Sequence, residues 1–236
     1  MKTLKLALGL CAFAAAAQAP AATQIRVNGF SAANGFATGK LSYAPSQFNG
    51  STLNIGQFSL SGTNLTNNTA VTINTFCVDV MTALTVPTTF QIVPLSKLFT
   101  GTTATNLSKL ITNVVPTNTT QSAALQLAIW DVAFDKGPSY NSTSGSFFTT
   151  GGNSDAARTL ANTYLGQLST WSVVQGQTVQ LLYNGTSQTQ MFATSALSPL
   201  SATPEPAEWA LLLVGFGAVG AAIRRHRVAA ARVTFA

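Results

Sequence analysis

The chain has 236 residues, with 12 Lys or Arg, 6 Asp or Glu, one His, two Cys and only 8% charged residues. That length holds one domain with tails, 46% hydrophobic residues suffice for a core, and charge-driven disorder is excluded because it needs the opposite composition. Four of the six units of net positive charge belong to the ends: between Thr23 and Thr203 six basic residues face four acidic ones, so no basic stripe exists to neutralise phosphates and no nucleic-acid partner is expected.

Residues 1–22 have the layout of a signal peptide for signal peptidase. A basic start (Lys2, Lys5) precedes an apolar stretch from Leu6 to Ala17 and the small-residue run AQAPAA, with cleavage expected at the Ala21 or Ala22 bond. Cys11 lies in the apolar stretch and is expected to leave with it. Cys77 then remains as the single cysteine of an exported chain, unable to form an internal disulfide.

Residues 23–202 are predicted to form an extracellular, mainly β domain with a helical insertion, an α+β antiparallel sandwich or barrel with about three helices. The early segments QIRVNGF, FATGKLSYA, TLNIGQFSLSG, TAVTINTFCVDV and TTFQIVP alternate apolar and polar residues between Asn/Gly turns, the pattern of half-buried strands. The insertion, near 104–170, changes period: ATNLSKLITNVV and TTQSAALQLAIWDVAFD have helical spacing, as in Leu125, Ile129 and Val132. Ser154 with Asp155 marks the N-terminus of a third helix, whose Ala157, Leu160, Tyr164 and Leu168 share a face. Strands return at GQTVQLLY and QTQMFAT. The GSFFTTGGNS stretch reads as a loop with Phe147 and Phe148 packed beneath it. Asp131 and Asp135, four apart on one helix, read as a solvated face.

The chemistry implied is mostly negative. The only histidine, His226, follows the C-terminal apolar segment, so Ser-His-Asp, Cys-His and His-metal sites are not expected in the exported domain; nor is a metal, a cofactor or enzymatic turnover. What remains is Cys77 in FCVDV and Gln126 in LQLAIWDV. Strand alternation puts Thr75, Cys77 and Asp79 on one face and Phe76, Val78 and Val80 on the other, so the thiol is expected to point away from the core. The helix from Thr119 to Asp135 sets Gln126 among Ile129, Trp130 and Ala133, a polar group needing a partner.

The aromatic-Cys-aliphatic-acidic strand motif followed by apolar-Gln-x-Ala-Ile-Trp resembles the Cys-Gln thioester domains of bacterial surface adhesins. The resemblance implies a bond between Cys77 and Gln126, with Ile129 and Trp130 shielding it from water. It also implies single-use capture of a nucleophile, an amine on a surface or matrix polymer. Two other readings stay open: Cys77 is an inert strand thiol with Gln126 in a helix contact, or the domain is a structural envelope protein that binds exopolysaccharide through Trp171, Tyr140 or Tyr183.

The C-terminal end carries an address. Trp209 to Ile223 is uncharged and apolar and is followed at once by RRHR, the layout of a transmembrane helix (207–223) with its arginines on the cytoplasmic side of the inner membrane and 228–236 as a cytoplasmic tail. Residues 203–227 resemble the PEP-CTERM sorting signal of Gram-negative bacteria: Pro204, Glu205 and Pro206, then a helix led by Trp209 with Gly215, Phe216 and Gly217 at its centre, then Arg224, Arg225 and Arg227. That resemblance implies recognition by exosortase, a membrane protease that cuts near the Pro-Glu-Pro triplet. The chain would then pass from transient inner-membrane anchorage to the cell surface or a biofilm matrix.

Overall fold

The computed structural model describes residues 23–135 and 140–195. The expected signal peptide (1–22) and the sorting signal with its transmembrane helix (203–227) lie outside them. Among the described residues no helix is long and apolar enough to cross a membrane.

The expectation of a mainly β domain with three helices is met by a closed antiparallel barrel. Its strands are β1 (Gln24–Ala32), β4 (Phe58–Asn64), β5 (Thr69–Cys77), β6 (Thr88–Pro94), β8 (Gln177–Tyr183) and β9 (Gln190–Ser195), in the order β1-β4-β5-β9-β8-β6. Alternation in β1 buries Ile25 and Val27 and exposes Gln24 and Arg26, so its apolar set faces the barrel interior with Leu60, Phe90, Leu182 and Phe192. A bulge between Val27 and Gly29 shifts the β1–β4 register. Gly62 opposes it, and any Cβ there would collide with the Arg26 carbonyl oxygen.

A second sheet of three strands, β3 (Thr52–Ile55), β2 (Ala37–Ser42) and β7 (Phe148–Thr150), was not anticipated as separate. Its member β7 falls inside the stretch read as a loop, because Phe148–Thr150 pairs with β2 (Ser42↔Phe148, Lys40↔Thr150). Phe147 is buried, as expected, stacking on Phe134 at 5.8 Å between ring centroids.

The helices are α1 (Gly101–Asn113), α2 (Thr119–Phe134) and α3 (Asp155–Gly166), all within or at the edge of the expected insertion. Asn118 caps α2 by accepting a hydrogen bond from the Gln121 N–H at 2.9 Å, while Gln121 Oε1 accepts from the Thr117 N–H at 2.9 Å. Ser154 stands at the cap of α3 without capping it: its hydroxyl donates to the Gly151 carbonyl and accepts from the buried Arg158 guanidinium. Every residue of α2 from Ser122 to Val132 is buried. A helix that is apolar all round must be enclosed on all sides, and α2 packs against α1, α3, β2, β3 and β5 as the spine of the larger core. The barrel therefore keeps a small interior of its own, and the main core lies where α2 meets the end of β5.

Candidate functional site

β5 ends at Cys77, and the α2 spine crosses that end with Gln126 facing it. The Gln126 carboxamide spans one residue of backbone: Oε1 accepts from the Cys77 N–H at 2.9 Å and Nε2 donates to the Cys77 carbonyl at 2.7 Å. Both residues are 0% exposed. The polar group that the sequence left in search of a partner thus finds one in the last free N–H and C=O of a strand, which would otherwise be costly to bury.

The thiol does not point out to solvent, which corrects the expectation drawn from alternation. At the end of β5 both faces are covered, since Thr75, Phe76, Cys77, Val78 and Val80 are all buried, so period two no longer separates inside from outside. Cys77 Sγ donates to the Asp79 carbonyl at 2.8 Å and accepts from the Asp79 N–H at 3.4 Å. Burial pushes the thiol up to about 12; the Asp79 backbone N–H and the Trp130 indole offset part of that, and the Asp79 charge adds to it. Among the described residues Trp130 Nε1 has no hydrogen-bond partner.

A chain of carboxamides fixes the Asp79 carbonyl from the far side. Gln190, paired with Cys77 across the β5–β9 ladder, accepts from Thr75 Oγ1 at 2.9 Å and donates through Nε2 to Gln188 Oε1 at 2.9 Å. Gln188 Nε2 in turn donates to the Asp79 carbonyl at 3.0 Å and the Thr82 carbonyl at 3.2 Å. Thr75, Gln188 and Gln190 were missed at the sequence level. Their signal was slight: alternating glutamines in SQTQM, at the start of a strand whose inward positions would ordinarily be apolar.

Trp130 and Ile129, the expected shields, are both buried. Trp130 lines a pocket of about 250 Å³ together with Cys77, while its ring packs on Phe147 at 5.9 Å between centroids. Ile129 lies in the core and does not line that pocket. Asp131 departs from the solvated role expected of it: it is 0% exposed, and neither carboxylate oxygen has a hydrogen-bond partner among the described residues. The three aromatic residues considered for polysaccharide binding have separate surroundings. Trp171 packs on Tyr164 at 6.2 Å, Tyr140 Oη accepts from the Asn106 carboxamide at 3.4 Å, and Lys97 lies 5.9 Å over the Tyr183 ring. Among the described residues no group of three or more His, Cys, Asp or Glu is placed to hold a metal ion.

The site therefore consists of a buried cysteine and glutamine held in register, and an apolar pocket that Cys77 and Trp130 both line. Comparison of the chain with protein families, with curated proteins and with solved structures finds no match.

Proposed function

We propose that this is an exported surface or biofilm-matrix protein, sorted by exosortase, that attaches covalently to an amine-bearing surface or matrix polymer through a thioester between Cys77 and Gln126. The observation that carries the reading is the seating of the Gln126 carboxamide on the backbone of Cys77, 49 positions away in sequence, in a fully buried setting.

The chemistry balances without an outside reagent. Cys77 Sγ attacks Gln126 Cδ, a carbon–sulfur bond forms and the Cδ–Nε2 bond breaks, and Nε2 leaves as ammonia with the thiol proton. The Cys77 N–H, already 2.9 Å from Oε1, offers a fixed donor to the oxygen that gathers negative charge during attack. Burial keeps water from the product, so the thioester is stored until a stronger nucleophile arrives. The export and sorting part of the proposal stands on the N-terminal signal and on the Pro204, Glu205, Pro206 motif ahead of Trp209 and the arginine cluster.

The test is the intact mass of the purified chain before and after methylamine. A mass one ammonia below the processed sequence, rising by one methylamine with the release of one titratable thiol, is the expected result. A second reading has its own observation: with Sγ hydrogen-bonded to the Asp79 carbonyl, the same pair serves as an unreactive brace in a non-catalytic structural or exopolysaccharide-binding envelope protein. A mass equal to the processed sequence, with Cys77 free from the start, selects that reading and removes the first.

A further inference from the structure

The pocket that reaches Cys77 is built from segments far apart in the chain. Phe30 and Phe58 come from β1 and β4, Phe36 and Phe48 from either side of β2, Leu84 from the segment after β5, and Trp130 from α2. The phenylalanines pack on one another, Phe30 on Phe58 at 5.6 Å and Phe36 on Phe58 at 5.1 Å between centroids, and Phe30 at the surface is 46% exposed. No side chain lining the pocket carries a charge. Its two carboxamides differ: Gln188 spends both its nitrogen and its oxygen inside the protein, whereas Asn54 is exposed with its side chain uncommitted among the described residues. An aromatic lining of this extent beside a buried sulfur is more than a core requires, because it leaves a large apolar ring in water.

We infer that this pocket binds the incoming nucleophile, and that it selects a primary amine borne next to an uncharged, ring-sized apolar group over one borne next to a second charge; the inference rests on the thioester reading above. The volume of about 250 Å³ exceeds the roughly 150 Å³ of an apolar cavity known to hold benzene. An additional ammonium or carboxylate would lose its hydration in the pocket and find no counter-charge there. The reacting nitrogen enters as the neutral amine and bonds to Gln126 Cδ. The carbon–sulfur bond breaks, and the Cys77 sulfur leaves with its electron pair and takes the proton the nitrogen gives up, leaving an amide and a thiol.

The test uses the full-length chain in mild detergent and follows thioester loss by intact mass with benzylamine, methylamine and (2-aminoethyl)trimethylammonium. Each rate is divided by that of the same neutral amine with a small-molecule thioester. Benzylamine is expected to exceed methylamine by about tenfold, the worth of burying one ring, and the trimethylammonium compound to fall below methylamine. Ala83→Trp, at an exposed position lining the pocket, should bring the ratio of the benzylamine rate to the methylamine rate down to about one; Asn54→Asp should raise the trimethylammonium rate. Equal normalised rates for the three amines, or a ranking that Ala83→Trp leaves intact, overturns the inference. A chain whose mass shows no thioester fails the functional reading instead, and saturation-transfer NMR then decides the pocket by itself. Benzyl alcohol binding that is lost in Ala83→Trp and absent for benzyltrimethylammonium upholds the selectivity, and no binding, or equal binding of both, overturns it.

Discussion

The Gln126 side chain closes two hydrogen bonds on the backbone of Cys77, at 2.9 Å to its N–H and 2.7 Å from Nε2 to its carbonyl, so the helix α2 and the end of β5 are joined through one carboxamide. Whatever the chemistry, that carboxamide is also a structural element, and the two roles separate by mutation.

Gln126→Ala leaves a buried N–H and a buried C=O without partners and opens a cavity in the core. It is expected to cost about 2–5 kcal/mol in urea unfolding. Cys77→Ala removes only the sulfur and should cost about 1 kcal/mol. Both variants must lose any mass deficit of one ammonia. Equal stability losses in the two would show that the bonds to the Cys77 backbone are not what fixes this end of α2.

The Thr75–Gln190–Gln188 chain holds the Asp79 carbonyl to which the thiol donates. Gln190→Leu keeps much of the volume but leaves Thr75 Oγ1 and Gln188 Oε1 facing an apolar group. The expected cost is about 1–3 kcal/mol, together with faster iodoacetamide labelling of the open thiol as its hydrogen bond loosens. Unchanged labelling with lowered stability would make the chain a feature of the barrel alone and not of the cysteine.

Burial raises the Cys77 thiol from 9.0 to about 12, so the native open form presents almost no thiolate near neutral pH. Its alkylation rate is therefore expected to keep climbing well past the pH at which the urea-unfolded chain levels off, near 9.0. The folded-state value lies above the unfolded one, so the thiol's contribution to stability is full below 9.0 and is lost as pH rises toward about 12. A native labelling profile that levels off together with the unfolded one would contradict the burial seen here.

Much of this was legible in the sequence, and each failure has a physical cause. Ile25 and Val27 alternate against Gln24 and Arg26 because only one face of β1 meets a core, and the strand is readable for that reason. The same rule applied to Cys77 gave the wrong direction, because Thr75 and Phe76 on opposite faces are both covered where the barrel's end meets α2. The enclosure of α2 had a sign that the solvated reading of Asp131 passed over, since QSAALQLAIWDV scatters its few polar residues and has no polar side to give to water. Reading Asp131 and Asp135 as a solvated pair followed the usual behaviour of acids and ignored their neighbours. The pocket was invisible for a different reason: Phe30, Phe36, Phe48 and Phe58 carry no local pattern, and only the pairing of β1 with β4 and the placement of the smaller sheet bring them together.

Asp131 supplies the last prediction. Burial first, and the neighbouring Asp135 second, push its carboxyl from 3.8 up to about 7, with the Asn141 backbone pulling the other way. Between those two values the native state holds a proton that the unfolded chain releases. Stability is therefore full below 3.8, falls as pH rises through the window, and levels off above about 7. The slope is at most roughly 1.4 kcal/mol per pH unit for one such group. Asp131→Asn keeps the shape and removes the titration, so its gain over the parent chain in urea unfolding should be larger at about pH 8 than at about pH 5. The same difference at both pH values would mean that Asp131 is solvated or paired in solution, and that the end of α2 is not sealed as the structure has it.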